Sequence, residues 1–399
     1  MILHRAAWVL PIVAPPLRRG WVLSDRGRIV SCGSSDVLPR GQDEIVDVGD
    51  AVILPGLVNA HTHLELSWMR GRVAPGGPMP AWASRLLALR RAAGGDSAGP
   101  IADAIGQARA AGTSLVGDVT NTLAAYDLLA DSEVGAAVFR EVIGFTAEDP
   151  EGIVAGARAE LDALRALPSL RSSIVPHAPY SVAPELLRAI GRAAGDRPIS
   201  VHLGESPEEI QFLRDGTGAW RELLRELGAW NDRWQPPGCG PVEYLDRMGL
   251  VTGRLLAVHG TQLTGAELAQ LARAGATVVT CPRSNRWTGA GTPPVERFYA
   301  SGVRVAIGTD SLASVEDLNL FGELALVRRL APAVPAARLL ESATIVGAAA
   351  LGFGAESGSI EPGKRADLIA VRLPEPLEDV EEYLLQGIEP SEITWLDSK

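Results

Sequence analysis

Short apolar or β-branched runs recur along the chain, separated by stretches in which apolar residues return every three or four positions. Eight runs stand out: "GLVNAHTH" (56–63), "TSLVGDV" (113–119), "GAAVFREVIG" (135–144), "RSSIVPHAPY" (171–180), "PISVHLGE" (198–205), "RLLAVHG" (254–260), "ATVVTCPRSN" (276–285) and "VRVAIGTDS" (303–311). Near-continuous apolar character fits strands buried on both faces, and segments such as "PAWASRLLALRRAA", "PELLRAIGRAA", "GAELAQLARAG" and "LNLFGELALVRRL" between them fit amphipathic helices. Strand and helix in regular alternation predict a parallel α/β fold. Eight such units predict a (β/α)8 TIM barrel over residues 53–357, with a doubly wound sheet as the alternative.

The two ends of the chain break this rhythm. Residues 1–52 read as short strands and turns, as in "SDRGRIVSCGSSD", and "SGSIEPGKRADLIAVRL" reads as two further strands. Residues 1–52 and 358–399 are therefore expected to pair into one small β-sandwich domain beside the barrel. "VAPGGPMP" and "WQPPGCGP" read as loops over the strand ends.

Composition narrows the function. With 399 residues, 46% of them hydrophobic, the chain can bury a large core. A net charge of −11 argues against nucleic acid and anionic membranes, so a small-molecule substrate is expected, with a homodimer as the candidate assembly. No apolar run reaches the roughly 18 residues of a membrane span, and Pro11, Pro15 and Pro16 interrupt the one stretch that invites a signal-peptide reading. Cys32, Cys239 and Cys281 are scattered and odd in number, which fits a reducing compartment and predicts a cytoplasmic protein. The only lysines are Lys364 and Lys399, so Schiff-base, pyridoxal-phosphate and P-loop chemistry have no lysine in the predicted barrel.

The histidines carry the chemistry. His61 and His63, two apart on a strand, share one face. His177, His202 and His259 end the fourth, fifth and sixth predicted strands, and Asp310 ends the eighth. Five of the six histidines thus fall on the face where barrels build active sites, and only His4 stands apart. His61, His63, His202 and Asp310 are the expected ligand set for one divalent ion, zinc expected ahead of iron or manganese. A bridging second metal in such sites commonly needs a carbamylated lysine, which this barrel lacks. Asp310 is also placed to accept a proton. Glu205, three residues past His202, is placed as a proton shuttle, or is an exposed carboxylate of "GESPEE". His259 orients the nucleophile or stabilises an oxyanion; a further ligand or a core histidine is the alternative. His177 contacts substrate or is structural.

These residues together resemble the amidohydrolase superfamily over essentially the whole chain: "PGLVNAHTH", "HLGE", "VHG" and "GTDS" match its strand motifs, and "GSIEPGKRADLIAV" its C-terminal sheet segment. The missing lysine is similar to the mononuclear branch of nucleobase and adenosine-type deaminases and triazine hydrolases. Within it, "HTHLELS", "GDVTN", "PHAPYS", "CPRSN" and "GTDSLAS" look most like the aminodeoxyfutalosine deaminases of menaquinone biosynthesis. The resemblance implies hydrolytic loss of a purine 6-amino group from a nucleoside whose 5′ extension ends in a carboxylated ring. It further implies a cation for that carboxylate, with Arg140, Arg283 and Arg90 as candidates, a stacking role for Trp82 and ribose binding by Glu65. Packing or solvent exposure is the alternative for each. Adenosine, S-adenosylhomocysteine or methylthioadenosine deamination, or hydrolysis of a cyclic amide or chloro-triazine at the same metal, are the alternative activities. A barrel that binds without catalysis is the non-enzymatic one, disfavoured because every ligand is present.

Overall fold

The computed structural model describes residues 1–34, 43–92, 97–374 and 377–396; the end of the "SDRGRIVSCGSSD" stretch and Lys399 lie outside them. Seven strands precede the barrel: β1 Ile2–Arg5, β2 Trp8–Val9, β3 Leu17–Arg18, β4 Gly20–Asp25, β5 Arg28–Ser34, β6 Glu44–Asp47 and β7 Ala51–Pro55. The barrel strands are β8 Leu57–Thr62, β9 Thr113–Thr120, β10 Gly135–Val142, β11 Leu170–Pro176, β12 Ile199–Leu203, β13 Leu255–His259, β14 Thr277–Thr280 and β15 Arg304–Ile307. β16 Leu368–Arg372 and β17 Ile393–Leu396 follow.

All eight expected barrel runs form strands, paired in parallel in the orders β11-β10-β9-β8 and β12-β13-β14-β15. β8, β9, β12, β13 and β14 are buried at every position, as strands covered on both faces must be. The two sheets meet at both edges. At one, the His202 amide donates to the His177 carbonyl at 2.9 Å. At the other, the Thr309 and Asp310 amides reach the His61 carbonyl at 3.2 and 3.0 Å, and Asn59 and Thr309 exchange hydrogen bonds of 2.7 and 3.1 Å. The fold is a (β/α)8 TIM barrel with a small β-sandwich. In the seam around β8 a Cβ on Gly308 would lie 2.8 Å from the His61 carbonyl, and one on Gly117 would lie 2.5 Å from the Ala60 carbonyl. Only glycine permits both approaches.

Strand lengths depart from the apolar pattern at prolines. β11 ends at Pro176, and "CPRSN" is not the end of β14 but the start of a helix, Pro282–Thr288. A proline lacks the amide a ladder needs and suits the first helical turn, where that amide has no partner.

The small domain has two sheets, β5-β4-β1-β6 and β17-β16-β7-β2-β3. Val9, Val22, Ile29, Ile53, Leu368 and Leu396 pack together in its interior. β7 pairs with β16 from Ala51 to Pro55, so the strand of the small sheet runs three residues past position 52 before Gly56 leads into β8. The opposite face of that sheet, with Trp8, Leu54 and Ile369, packs on Leu320, Phe321 and Leu339 of the barrel's helices.

Candidate active site

The strand ends converge on one cluster. His61 is fully buried, and its ring lies 4.9 Å from that of His63 and 5.0 Å from that of His202, centroid to centroid. Asp310 Oδ1 sits 3.7 Å from His61 Nε2 and 3.6 Å from His63 Nε2. His259 Nε2 lies 3.0 Å from His202 Nδ1 and 3.4 Å from Glu205 Oε1. His259 (φ 74°), the last residue of β13, and Asp310 (φ 62°), three residues past the end of β15, both take left-handed backbone conformations, a local cost on the order of 1 kcal/mol at the points where their side chains join the cluster.

This donor set fits a divalent ion. Both ring nitrogens of His61 are buried without a hydrogen-bond partner, a desolvation cost that a bound cation removes. His61 belongs to two overlapping groups of close donor atoms, one with His63 and Asp310 and one with His202 and His259. Three imidazoles and a carboxylate suit a borderline Lewis acid and support a single divalent metal.

The next layer holds these groups in place. Asp310 Oδ2 accepts from Ser284 Oγ at 2.5 Å and from Ser314 Oγ at 3.1 Å. Asn285 Nδ2 is 3.1 Å from His259 Nδ1. Glu141 Oε1 is 3.6 Å from His202 Nε2, while its Oε2 accepts from Asn121 at 2.9 Å. The Asp118 carboxylate, fully buried beneath, accepts the Leu64 amide at 2.9 Å and so fixes the turn after His63. Sequence reasoning missed Glu141, Asn121, Ser284, Ser314 and Asn285. Their only signal was polarity within apolar strands and in the turns that follow them.

Burial dominates the titration of the cluster. It pushes Glu205 up to about 8, with His202 opposing and the Asp310 and Glu209 charges adding to the rise. It lowers His61 to about 4 and holds His259 well below its ordinary value. For His202 burial acts downward too, but the Glu141 carboxylate outweighs it and lifts the imidazole to about 9. Asp310 goes the other way from Glu205: burial alone would raise it, but the neighbouring imidazoles, His61 first, hold it well below the carboxylate range. Two buried carboxyls in one cavity, pushed in opposite directions by their surroundings, are the arrangement that an acid and a base sharing one site require. "GESPEE" is therefore not a solvated acidic run: Glu205 and Glu209 are buried, and Glu209 accepts the Gly204 and Glu205 amides at 2.9 Å each.

A cavity of about 440 Å³ opens above the cluster, within the usual size range of small-molecule sites. His63, Glu65, Glu141, His177, His202, Glu205, His259 and Asp310 line its floor. Its upper wall is apolar and comes from two facing helices, Met79–Ala92 with Trp82 and Leu86, and Ala219–Glu226 with Trp220 and Leu224. Tyr180 stacks on Trp220 with centroids 3.9 Å apart. His177 lines the cavity with its Nδ1 held by Ser181 Oγ at 2.6 Å.

The structure places the remaining expected contacts differently. Glu65 lines the cavity, yet its oxygens already accept from Thr120, Asn121, Thr122 (twice) and Arg90, which leaves little capacity for ribose hydroxyls. Arg283 is not in the cavity; its guanidinium is taken by Glu323 at 2.7 Å and Asp317 at 2.8 Å. Arg140 is not in it either, because adjacent residues of a strand point to opposite faces and Glu141 takes the inner one. Arg140 pairs with Glu160 at 2.6 Å and lines a separate cleft of about 430 Å³, which shares Arg90, Asn121, Glu141 and Ile143 with the catalytic cavity. Arg90 is the one arginine lining the cavity among the described residues, bonded to Asn121 and Glu65.

The chain is similar to known proteins over most of its length. The amidohydrolase family matches the chain over residues 52–389. The aminodeoxyfutalosine deaminase of Deinococcus radiodurans is 34% identical over 79% of this chain and 77% of its own. The 5-methylthioadenosine/S-adenosylhomocysteine deaminase of Halobacterium salinarum is 33% identical over 90% of this chain and 81% of its own. The crystal structure of an adenosine deaminase from Xanthomonas campestris with bound zinc superposes with a TM-score of 0.84, 31% identity and coverage of 100% of this chain and 91% of that one. No helix among the described residues is long and apolar enough to cross a membrane.

Proposed function

This chain belongs to the amidohydrolase family and is a hydrolase of carbon–nitrogen bonds; from that premise we propose that it is a zinc-dependent deaminase of 6-amino-6-deoxyfutalosine, on a route to menaquinone. The coarser activity, deamination of an adenosine-type nucleoside, rests on one observation above all. A floor of close histidine and carboxylate donors, with the buried Glu205 and Asp310 carboxyls among them, lies beneath an apolar, aromatic wall.

The metal, when bound, supplies a hydroxide nucleophile at neutral pH. The chain's own residues do the rest. Asp310, ionised and presenting Oδ1 to the ligand histidines, is the proton acceptor. Glu205, its carboxyl raised by burial, gives its proton to a purine ring nitrogen as the carbon–oxygen bond forms. The proton taken up by Asp310 then passes to the amino group, which departs as ammonia as the carbon–nitrogen bond breaks, and the new hydroxyl returns a proton to Glu205. His259 Nε2 faces the same point from the adjacent strand and steadies the charge that develops there. The helical wall excludes water and covers the 5′ extension. His63, His61 and His202 are the proposed imidazole ligands, and His177 the proposed purine contact.

Support for the carboxylated nucleoside comes from the Deinococcus relative and from Arg90 and Arg140, which line the cleft beside the cavity where a tail leaving the reaction centre would emerge. A second reading, deamination of methylthioadenosine, is favoured by the apolar wall and by the pairing of Arg90 with Glu65. Ammonia release from aminodeoxyfutalosine, methylthioadenosine, S-adenosylhomocysteine and adenosine tests both. Preference for the first that falls several-fold to a few hundred-fold in Arg90→Ala or Arg140→Ala, with adenosine unaffected, is expected of a charge-assisted contact. Preference for methylthioadenosine in the wild type overturns the carboxylate reading and leaves the deaminase standing.

A further inference from the structure

We infer that the first turn of the helix Pro282–Thr288, which contributes no metal ligand and no cavity-lining atom from Ser284 or Asn285, is the positioning element of the site. Its adjacent side chains hold the carboxylate that faces the metal ligands and the imidazole that faces the general acid. Ser284 donates to Asp310 Oδ2 at 2.5 Å, and Ser314 Oγ stands 3.1 Å from the same oxygen and 2.9 Å from Ser284 Oγ. With Oδ2 occupied, Oδ1 is left to face His61 and His63. Asn285, the next residue, takes His259 Nδ1 at 3.1 Å, so that Nε2 is the nitrogen turned to Glu205. In either orientation of its amide, Asn285 engages Nδ1 and leaves Nε2 to the site.

The turn is itself fixed from outside. Arg283 Nε and its backbone amide both bond Glu323, at 2.7 and 3.3 Å, and its terminal nitrogens bond Asp317 and the carbonyls of residues 317 and 319. A Cβ on Gly322, on the helix that carries Glu323, would lie 3.1 Å from the Arg283 guanidinium, so the glycine leaves that group room. Three consecutive residues therefore connect the outer helix, the metal carboxylate and the catalytic imidazole. Ser284 and Asn285 are fully buried and absent from the cavity lining, so each acts through the residue it holds. Partners of this kind commonly matter by about 10–100-fold in metal affinity or activity.

The test separates the two arms, and only the kinetic arm rests on the deaminase reading. Zinc affinity is measured on apo protein against a chromophoric chelator, and kcat and KM with whichever nucleoside the wild type deaminates. Ser284→Ala is expected to weaken zinc binding about tenfold, Ser284→Thr to restore it, and Ser284→Ala with Ser314→Ala to lose more than the product of the single effects, because both hydroxyls serve one oxygen. Asn285→Leu is expected to lower kcat about 10–100-fold with KM and zinc affinity unchanged, and to move the His259 signals alone in a ¹⁵N-histidine spectrum. Unchanged zinc affinity in Ser284→Ala and in the double variant overturns the carboxylate arm. Unchanged kcat in Asn285→Leu, or an equal loss in kcat, KM, zinc affinity and thermal stability, overturns the imidazole arm. A wild type inactive on every nucleoside overturns the deaminase reading while the zinc titration and the spectrum still decide the inference.

Discussion

At the floor of the cavity the polar groups are fixed by strand ends and by a second layer of hydrogen bonds: Ser284 and Ser314 on Asp310, Asn285 on His259, Asn121 on Glu141. In the upper wall, Trp82 and Leu86 on one helix face Trp220 and Leu224 on another, and none of them has a hydrogen bond that sets its place. Directional bonds suit chemistry that tolerates little displacement, whereas packing suits discrimination among tails of different bulk. The floor should therefore control whether reaction occurs, and the wall which nucleoside reacts.

The largest effect that could break this contrast is loss of the metal. His61→Ala removes the donor shared by two of the three close groups among the described residues, so the variant should fall from about one divalent ion per chain to none and lose turnover. Elemental analysis beside an ammonia assay checks it; two ions in the wild type, or activity in a metal-free variant, contradicts the single-ion floor. Next comes Glu205→Gln, which keeps the shape and removes the transferable proton. Turnover should drop by roughly 10²–10⁴-fold with metal content intact, and a variant that loses metal would make Glu205 a ligand instead.

Smaller and more selective is the expected effect at the wall. Trp220→Ala removes apolar surface from the cavity wall; if the wall covers the 5′ extension as proposed, that loss, at about 1.5–3 kcal/mol for a buried side chain, should cost roughly 10–100-fold in kcat/KM for a nucleoside with a bulky 5′ extension. Adenosine should change little. Equal losses for both substrates would mean that wall and floor are one unit. The smallest effect on turnover concerns Asp118, beneath the floor, whose carboxyl is pushed up to about 8 chiefly by burial, with the Leu64 bond acting downward and Glu65 upward. An acid whose folded pKa lies above its unfolded value of about 3.9 binds a proton only in the folded state between those values, so its contribution to stability is lost as pH rises from about 4 to about 8. Asp118→Asn should flatten that decline, read as denaturant midpoints against pH, and leave kcat near neutral pH almost unchanged.

The same contrast explains what the sequence made legible. His61, His63, His202 and Asp310 declare themselves because few other roles require such residues at strand ends, and β-branched runs with helical intervals declare the barrel. Trp220, Leu224 and Leu86 do not, since a leucine or tryptophan at helical spacing reads as core whether it faces a cavity or another helix. That Arg140 lies in the neighbouring cleft rather than in the main cavity was not legible, because it adjoins Glu141 on β10 and which of the two points inward depends on strand register. Arg283 misled because a lone arginine near an active-site strand looks like an anion receptor until its acidic partners, about forty residues away in sequence, come together in space. Serines and asparagines of the second layer are too common in turns to carry a signal.

The seam at Gly117 and Gly308 bears on how this protein can change. His61 sits where β8 is pressed by the backbone on either side, and any side chain at position 117 or 308 would intrude on the carbonyl of Ala60 or of His61 itself. A methyl group at either place should displace His61, the proposed ligand, without altering a single donor atom. In a map of tolerated substitutions these two positions should therefore rank with the histidines they flank. An engineer seeking a different metal would gain more freedom by recasting Asp310 and its hydroxyl partners than by working along β8, where the available space is already occupied by main chain.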